Sequence, residues 1–222
     1  MTKLVIFDVD GTLVDSQAHI IASMTAAFEA AQIAVPSRNA ILSIVGLSLP
    51  YAIRELAPDV SDATIVQLVE DYKADFNENR LKQDAVIPLF AGAEAAIARL
   101  AKREDMLLAI ATGKSRRGLD ALLEMWPFAD HFVSTQCADD HPSKPHPSMV
   151  QSCLADCDVT AQNAVVIGDT TYDMEMARAA RVAAIGVSWG YHGAGALKDT
   201  GASIVIDDFA ALDNALDEIW KD

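Results

Sequence analysis

The chain is poor in cysteine, in long apolar runs and in positive charge, and each scarcity narrows what it can be. Its three cysteines, Cys137, Cys153 and Cys157, are odd in number and form no CxxC pair, usage that suits a reduced, cytoplasmic protein. Cys153 and Cys157 share a helical i, i+4 spacing, but no nearby His completes a metal site with them. The first apolar run stops at Asp8, too short for a signal peptide, and no segment approaches the ~18 apolar residues of a membrane span. Basic residues number 17 against 32 acidic, for a net charge of −15, which argues against a nucleic acid or an anionic membrane as partner. The surplus acid reads as a solvated exterior, four aspartates excepted. Internal repeats and low-complexity segments are absent as well.

What is present is apolar substance for a sizeable core: 51% of 222 residues, enough for one α/β core with an insertion. The stretch Leu4 to Ser16, LVIFDVDGTLVDS, organises the rest. Leu4, Val5, Ile6 and Phe7 read as a strand covered on both faces, and Gly11 lets the chain turn away. Asp8 and Asp10 have the same parity, so in an extended segment both carboxylates address one volume at the strand end. Two anions so close need a cation or a shared proton, and a hard ion such as Mg2+ suits oxygen ligands. Taken alone, Asp-Val-Asp-Gly is equally an acidic turn closing a strand.

Beyond that strand the texture divides in two. From Ser16 to Gln83 only helical spacing appears. A helix capped by Asp15 or Ser16 carries Ile20, Met24, Phe28 and Ala31; shorter ones span 38–45 and 50–57, with Gly46 as a stop between them. A long one runs from Ser61 or Asp62 to about Lys82, with Ile65, Leu68, Val69, Tyr72 and Phe76 as its stripe. From Asp84 onward helices alternate with apolar strands at 106–111, 131–134, 164–167, 182–187 and 203–206, before a final helix capped by Asp208. That alternation predicts an α/β fold, a doubly wound parallel sheet of residues 1–15 and 84–222, into which residues 16–83 insert as an all-α bundle.

Sites in such sheets form beyond the carboxyl ends of the strands. After MLLAIA stand Thr112 and Gly113, a hydroxyl and exposed amides at a helix start that can cradle phosphoryl oxygens, although Ser115 as a helix cap accounts for much of the same string. Lys144 lies in a proline-rich loop; its ammonium either neutralises a transferring phosphoryl group or is solvated. After AVVIG come Asp169 and Asp173, either an acidic pair aimed at a cation or part of a helix cap at Asp169 or Thr170. Trp189, Tyr191 and His192 follow the fifth strand, where they either rim the site or, as the simpler expectation, pack as an ordinary loop. The Gly46-Leu47-Ser48 turn either faces a substrate or merely stops a helix.

Four strings in order at strand ends, DVDGTLVDS, Thr112-Gly113, Lys144-Pro145-His146-Pro147 and GDTTYD, resemble the four signatures of the haloacid dehalogenase-like phosphohydrolases over nearly the whole chain. The inserted helices resemble the cap of the phosphoglycolate phosphatase and β-phosphoglucomutase branch. The resemblance implies catalytic roles for Asp8 (nucleophile), Asp10 (acid and base), Thr112 and Lys144. It implies substrate contacts from Thr112, Gly113, Lys144 and Gly46, and Mg2+ held by Asp8, the main-chain carbonyl of Asp10, Asp169 and Asp173. The expected partner is a small phosphorylated metabolite, phosphoglycolate-like or a sugar phosphate, turned over in the cytoplasm by a monomer or homodimer through an aspartyl-phosphate. Two alternatives stay open: a phosphomutase of the β-phosphoglucomutase type, with the same residues, and a non-catalytic phospho-aspartate or interaction module, which needs neither acid/base nor cap.

Overall fold

The computed structural model describes residues 1–81 and 87–221, without the side chains of residues 79–81. Six parallel strands form one sheet: β1 (Lys3–Phe7), β2 (Met106–Thr112), β3 (Phe132–Cys137), β4 (Ala164–Gly168), β5 (Ala183–Val187) and β6 (Ile204–Ile206), in the spatial order β3-β2-β1-β4-β5-β6. The chain leaves β1 toward β2 and β3, then returns to β4 on the other side. The order therefore reverses at β1, and a crevice opens beyond its carboxyl end.

Ten helices surround or extend this sheet among the described residues: α1 (Gln17–Ala30), α2 (Arg38–Ser43), α3 (Leu49–Leu56), α4 (Asp62–Leu81), α5 (Ala93–Leu100), α6 (Arg116–Leu123), α7 (Ser148–Cys157), α8 (Thr171–Ala179), α9 (Ala194–Thr200) and α10 (Leu212–Ile219). Alternation along β1 sends Val5 and Phe7 to one face, where Leu108, Ile110, Val165 and Ile167 join them under α5, α6 and α10. Leu4 and Ile6 point the other way, onto Ala109, Ala111 and Val166 under α7, α8 and α9. Coverage on both faces is why the strands read as continuous apolar runs.

Two elements differ from the sequence expectation. β3 continues through Thr135 and Gln136 to Cys137, beyond the expected end at Ser134; these polar residues are half-buried on an edge strand and carry no apolar signal. Helix α9 was not expected at all. It begins among Gly193 and Gly195 and buries only Leu197, so no apolar stripe announces it.

Helices α1–α4 share an apolar cluster of their own, with Met24, Phe28, Ile53 and Leu68 inside it. The expected α4 stripe is in place: Ile65, Leu68 and Val69 are buried, and Tyr72 and Phe76 pack at the edge. Two antiparallel segments connect this block to the sheet. Asp15 N donates to Pro88 O at 2.9 Å and Phe90 N to Leu13 O at 2.9 Å, on either side of a bridge between Val14 and Leu89. The block lies over the crevice, tied down by Ser48 N donating to Ser143 Oγ at 2.9 Å and Tyr172 Oη to Ser43 O at 3.1 Å. The expected boundary between residues 83 and 84 lies outside the described residues. No helix among them is long and apolar enough to cross a membrane.

Candidate active site

Asp8 is the first residue past β1, and its N–H donates to Ile167 O at 2.9 Å, extending the ladder with β4 by one step. That bond aims its carboxylate into the crevice. Asp169 follows β4 and Asp173 lies in the first turn of α8, and one oxygen from each of Asp8, Asp169 and Asp173 falls within 4.8 Å of the others. All three side chains are buried. Three carboxylates so close in a low-dielectric pocket repel one another, and among the described residues Lys144 is the cation that meets them. Lys144 Nζ lies 2.6 Å from Asp173 Oδ1, to which it donates, and forms an ion pair with Asp8 Oδ1 at 2.8 Å. Lys144 is buried, which excludes the solvated one of its two readings.

The remaining partners divide the three carboxylates into two held by neutral donors and one met by Lys144 alone. Asp173 Oδ2 accepts from Thr170 N at 3.0 Å and from Thr170 Oγ1 at 2.7 Å in a reciprocal capping box, so Thr170 is the cap of α8. Asp169 Oδ1 accepts from Thr12 Oγ1 at 3.0 Å and Oδ2 from Tyr191 N at 2.8 Å. Asp8 Oδ1 meets only the Lys144 ammonium, and Asp8 Oδ2 has no hydrogen-bond donor among the described residues. Burial, opposed by Lys144 and reinforced by Asp173 and Asp10, pushes the Asp8 carboxyl up to about 7. Burial, then Asp173 and Asp8, hold the Asp169 carboxyl well above the usual range. Burial works against the Lys144 ammonium, but Asp173 and Asp8 outweigh it and raise its pKa.

Asp10 goes elsewhere. After Asp8 the backbone does not stay extended but closes a turn, with Leu13 N and Val14 N both donating to Val9 O. Gly11 makes that turn at φ +83°, where a Cβ would also collide with the Asp169 carboxylate. The Asp10 carboxylate stays outside the three-carboxylate cluster. It accepts from Lys114 Nζ at 2.9 and 3.0 Å and from Ser16 Oγ at 2.5 Å. Ser16, expected as a possible cap of α1, spends its hydroxyl on Asp10 and makes no cap bond. Its Oγ also shares a hydrogen bond with Tyr191 Oη at 3.1 Å. Lys114 and Ser16 are site residues that the sequence reading does not single out, whereas Tyr191 belongs to the stretch that it places at a possible rim of the site. The position of Lys114 two residues past the strand-end Thr112 was the one available signal; the role of Ser16 becomes visible only once distant loops meet.

Thr112 ends β2 fully buried, and its Oγ1 accepts from Lys114 N at 3.2 Å, shaping the turn that follows. Gly113 lies so close beneath Gly46 that a Cβ there would run into the Gly46 carbonyl, while Gly46 itself has φ +102°. This backbone-on-backbone approach joins the helical block to the sheet. Between them opens a cleft of about 840 Å³ lined by Asp8, Asp10, Thr112, Gly113, Lys114 and Gly46, among others. Trp189 Nε1 donates to Thr12 O at 3.1 Å and Thr171 N to His192 Nδ1 at 3.0 Å. The loop after β5 therefore packs as expected, and through Tyr191 it also braces Asp169 and Ser16.

With this geometry in view, the chain belongs to the haloacid dehalogenase-like hydrolase family, whose pattern matches residues 5–187. It is 35% identical to the "Probable phosphatase IndB" of Dickeya dadantii (strain 3937), over 100% of this chain and 96% of that one. It is 29% identical to a phosphoglycolate phosphatase of Agrobacterium fabrum, over 98% and 94% of the two chains. The fold superposes on the crystal structure of a hydrolase from Pseudomonas syringae with a TM-score of 0.85 and 26% identity, covering 100% of both.

Proposed function

We propose that the protein is a Mg2+-dependent phosphatase that hydrolyses a small phosphorylated metabolite, phosphoglycolate-like or a sugar phosphate, through a phosphoryl group carried on Asp8. The observation that carries this reading is the Asp8 carboxylate, buried and met by the Lys144 ammonium alone, beside two further buried carboxylates. Such a donor set is all oxygen and short of positive charge, which fits a hard divalent cation. Asp8, Asp169 and the main-chain carbonyl of Asp10 would hold the ion, with Asp173 alongside. The ion would supply charge neutralisation, so that an anionic nucleophile can approach an anionic ester.

The protein's own groups do the rest. An oxygen of Asp8 attacks phosphorus as the bond to the leaving oxygen breaks, and Asp10 gives that oxygen its proton. Asp10 then takes a proton from water, whose oxygen attacks the phosphoryl group and releases inorganic phosphate from Asp8. Lys144 has three N–H donors and commits two directions to Asp173 and Asp8, which leaves one for a phosphoryl oxygen. Thr112 and Gly113 line the cleft beside Asp8. Helices α1–α4, within residues 16–83, act as a cap that excludes bulk water from the cleft.

Release of inorganic phosphate from a panel of phosphorylated metabolites, with and without Mg2+, tests the proposal. Mg2+-dependent release with a clear preference within the panel is expected. Undiminished turnover in excess chelator, or transfer of phosphate between positions of a sugar without net release, would overturn it.

A further inference from the structure

Lys114 sits on the group that the proposed reaction needs free. Its ammonium spans both oxygens of Asp10 at 2.9 and 3.0 Å, and Ser16 occupies one of the same oxygens. Held this way, the Asp10 carboxyl cannot serve a leaving oxygen. The lysine emerges from the turn after β2, yet its ammonium lies 5.2 Å from the centre of the Phe76 ring on α4, so it reaches across the cleft to the helical block. Only 8% of the side chain is exposed. A desolvated ammonium that leaves one carboxylate must find another anion. The cleft offers room for one to enter: it is far larger than a phosphoryl group and continues past Lys114 to Ser115 and Arg117.

From this geometry we infer that Lys114 determines specificity by exchange of partners. It leaves Asp10 for a second anionic group on the substrate, a carboxylate or a further phosphate, and Asp10 is released for proton transfer only when such a group arrives. The inference rests on the reading of Asp10 as the acid and base. An anionic tail replaces one ion pair by another of the same kind. An uncharged tail can free Asp10 only by leaving the buried ammonium without a partner, so its penalty falls on turnover as well as on binding.

The test uses the full-length protein with Mg2+ and two alkyl phosphates of equal length, one ending in a carboxylate and the other in the matching carboxamide. The wild type should favour the carboxylate in kcat/KM by on the order of 100-fold, with a difference in kcat. Lys114→Met should lose most of the carboxylate activity while its kcat for the carboxamide rises, and Lys114→Arg should keep the wild-type preference. A fall of both esters by the same factor in Lys114→Met would mean that the lysine only supports the fold or Asp10, and would overturn the inference. Equal kcat for the two esters in the wild type would overturn it without any variant, even if Lys114→Met does not fold. Hydrolysis of both esters without discrimination, or of neither while other phosphorylated metabolites of the panel are hydrolysed, overturns the inference and leaves the phosphatase reading standing.

Discussion

Asp8 and Asp10 stand two residues apart in surroundings that suit them to opposite tasks. Asp8 is buried, meets Lys144 and faces two other carboxylates, whereas Asp10 lies in the turn beyond, held by a different lysine and a serine. Substitution by the isosteric amide separates them. Asp8→Asn should remove the nucleophile, so that no phosphorylated protein accumulates with any substrate. Asp10→Asn should leave the nucleophile in place but withdraw the proton donor and the base for water. With a nitrophenyl ester, whose leaving group needs no proton, the first step then survives better than the second. Asp10→Asn should therefore gain the mass of one phosphoryl group on Asp8; finding that mass on Asp8→Asn instead would reverse the two roles.

Among the elements, the helical block and its two connections bear most directly on the chemistry. The connections are bonded to each other at Asp15 and Pro88, so the chain enters and leaves the block through neighbouring points. The block has its own apolar cluster, and the sheet has two others. A short Gly-Ser linker in place of residues 17–86 should therefore close without strain and leave a folded sheet. That variant should melt cooperatively but lose its preference among substrates and turn over the best of them at least ~100-fold more slowly, because Gly46 and Phe76 no longer close the cleft. Wild-type kcat/KM in the shortened protein would show that the block is no lid.

For the whole molecule, the buried carboxylates set a pH dependence of stability. Asp8 is raised from 3.8 to about 7, so the folded state holds its proton in a range where the unfolded chain has released it. Stability from this group is full below pH ~4 and is lost as pH rises through about 7, by about 4 kcal/mol at most. Asp169 is shifted the same way and adds to the fall. In chelator the melting temperature should drop by roughly 10 °C between pH 5 and 8, given about 2–4 °C per kcal/mol for a chain of this size. Saturating Mg2+ should recover most of that drop by binding the folded state, and Asp8→Asn should show a shallower slope in chelator. A melting temperature that stays level or climbs across this range in chelator would contradict the electrostatic account of the cluster.

The four strand-end strings and the change from helical to alternating texture were legible in the chain because they depend on local chemistry. An apolar run that ends in Asp8, or in Gly168-Asp169, announces a buried strand delivering a carboxylate, whatever lies beside it. Other parts of the site carry no local mark. Ser16 looks like a helix cap until Asp10 and Tyr191 come within reach of its hydroxyl, and Thr170 rather than Asp169 caps α8 because Thr12 and Tyr191 already hold Asp169. Lys114 has the same side chain in any sequence context, and only the fold of β2 against β1 with α4 above sets it on Asp10 and against Phe76. Local composition determines which residues can do chemistry; the long-range packing of strand ends, loop and helical block decides which of them meet.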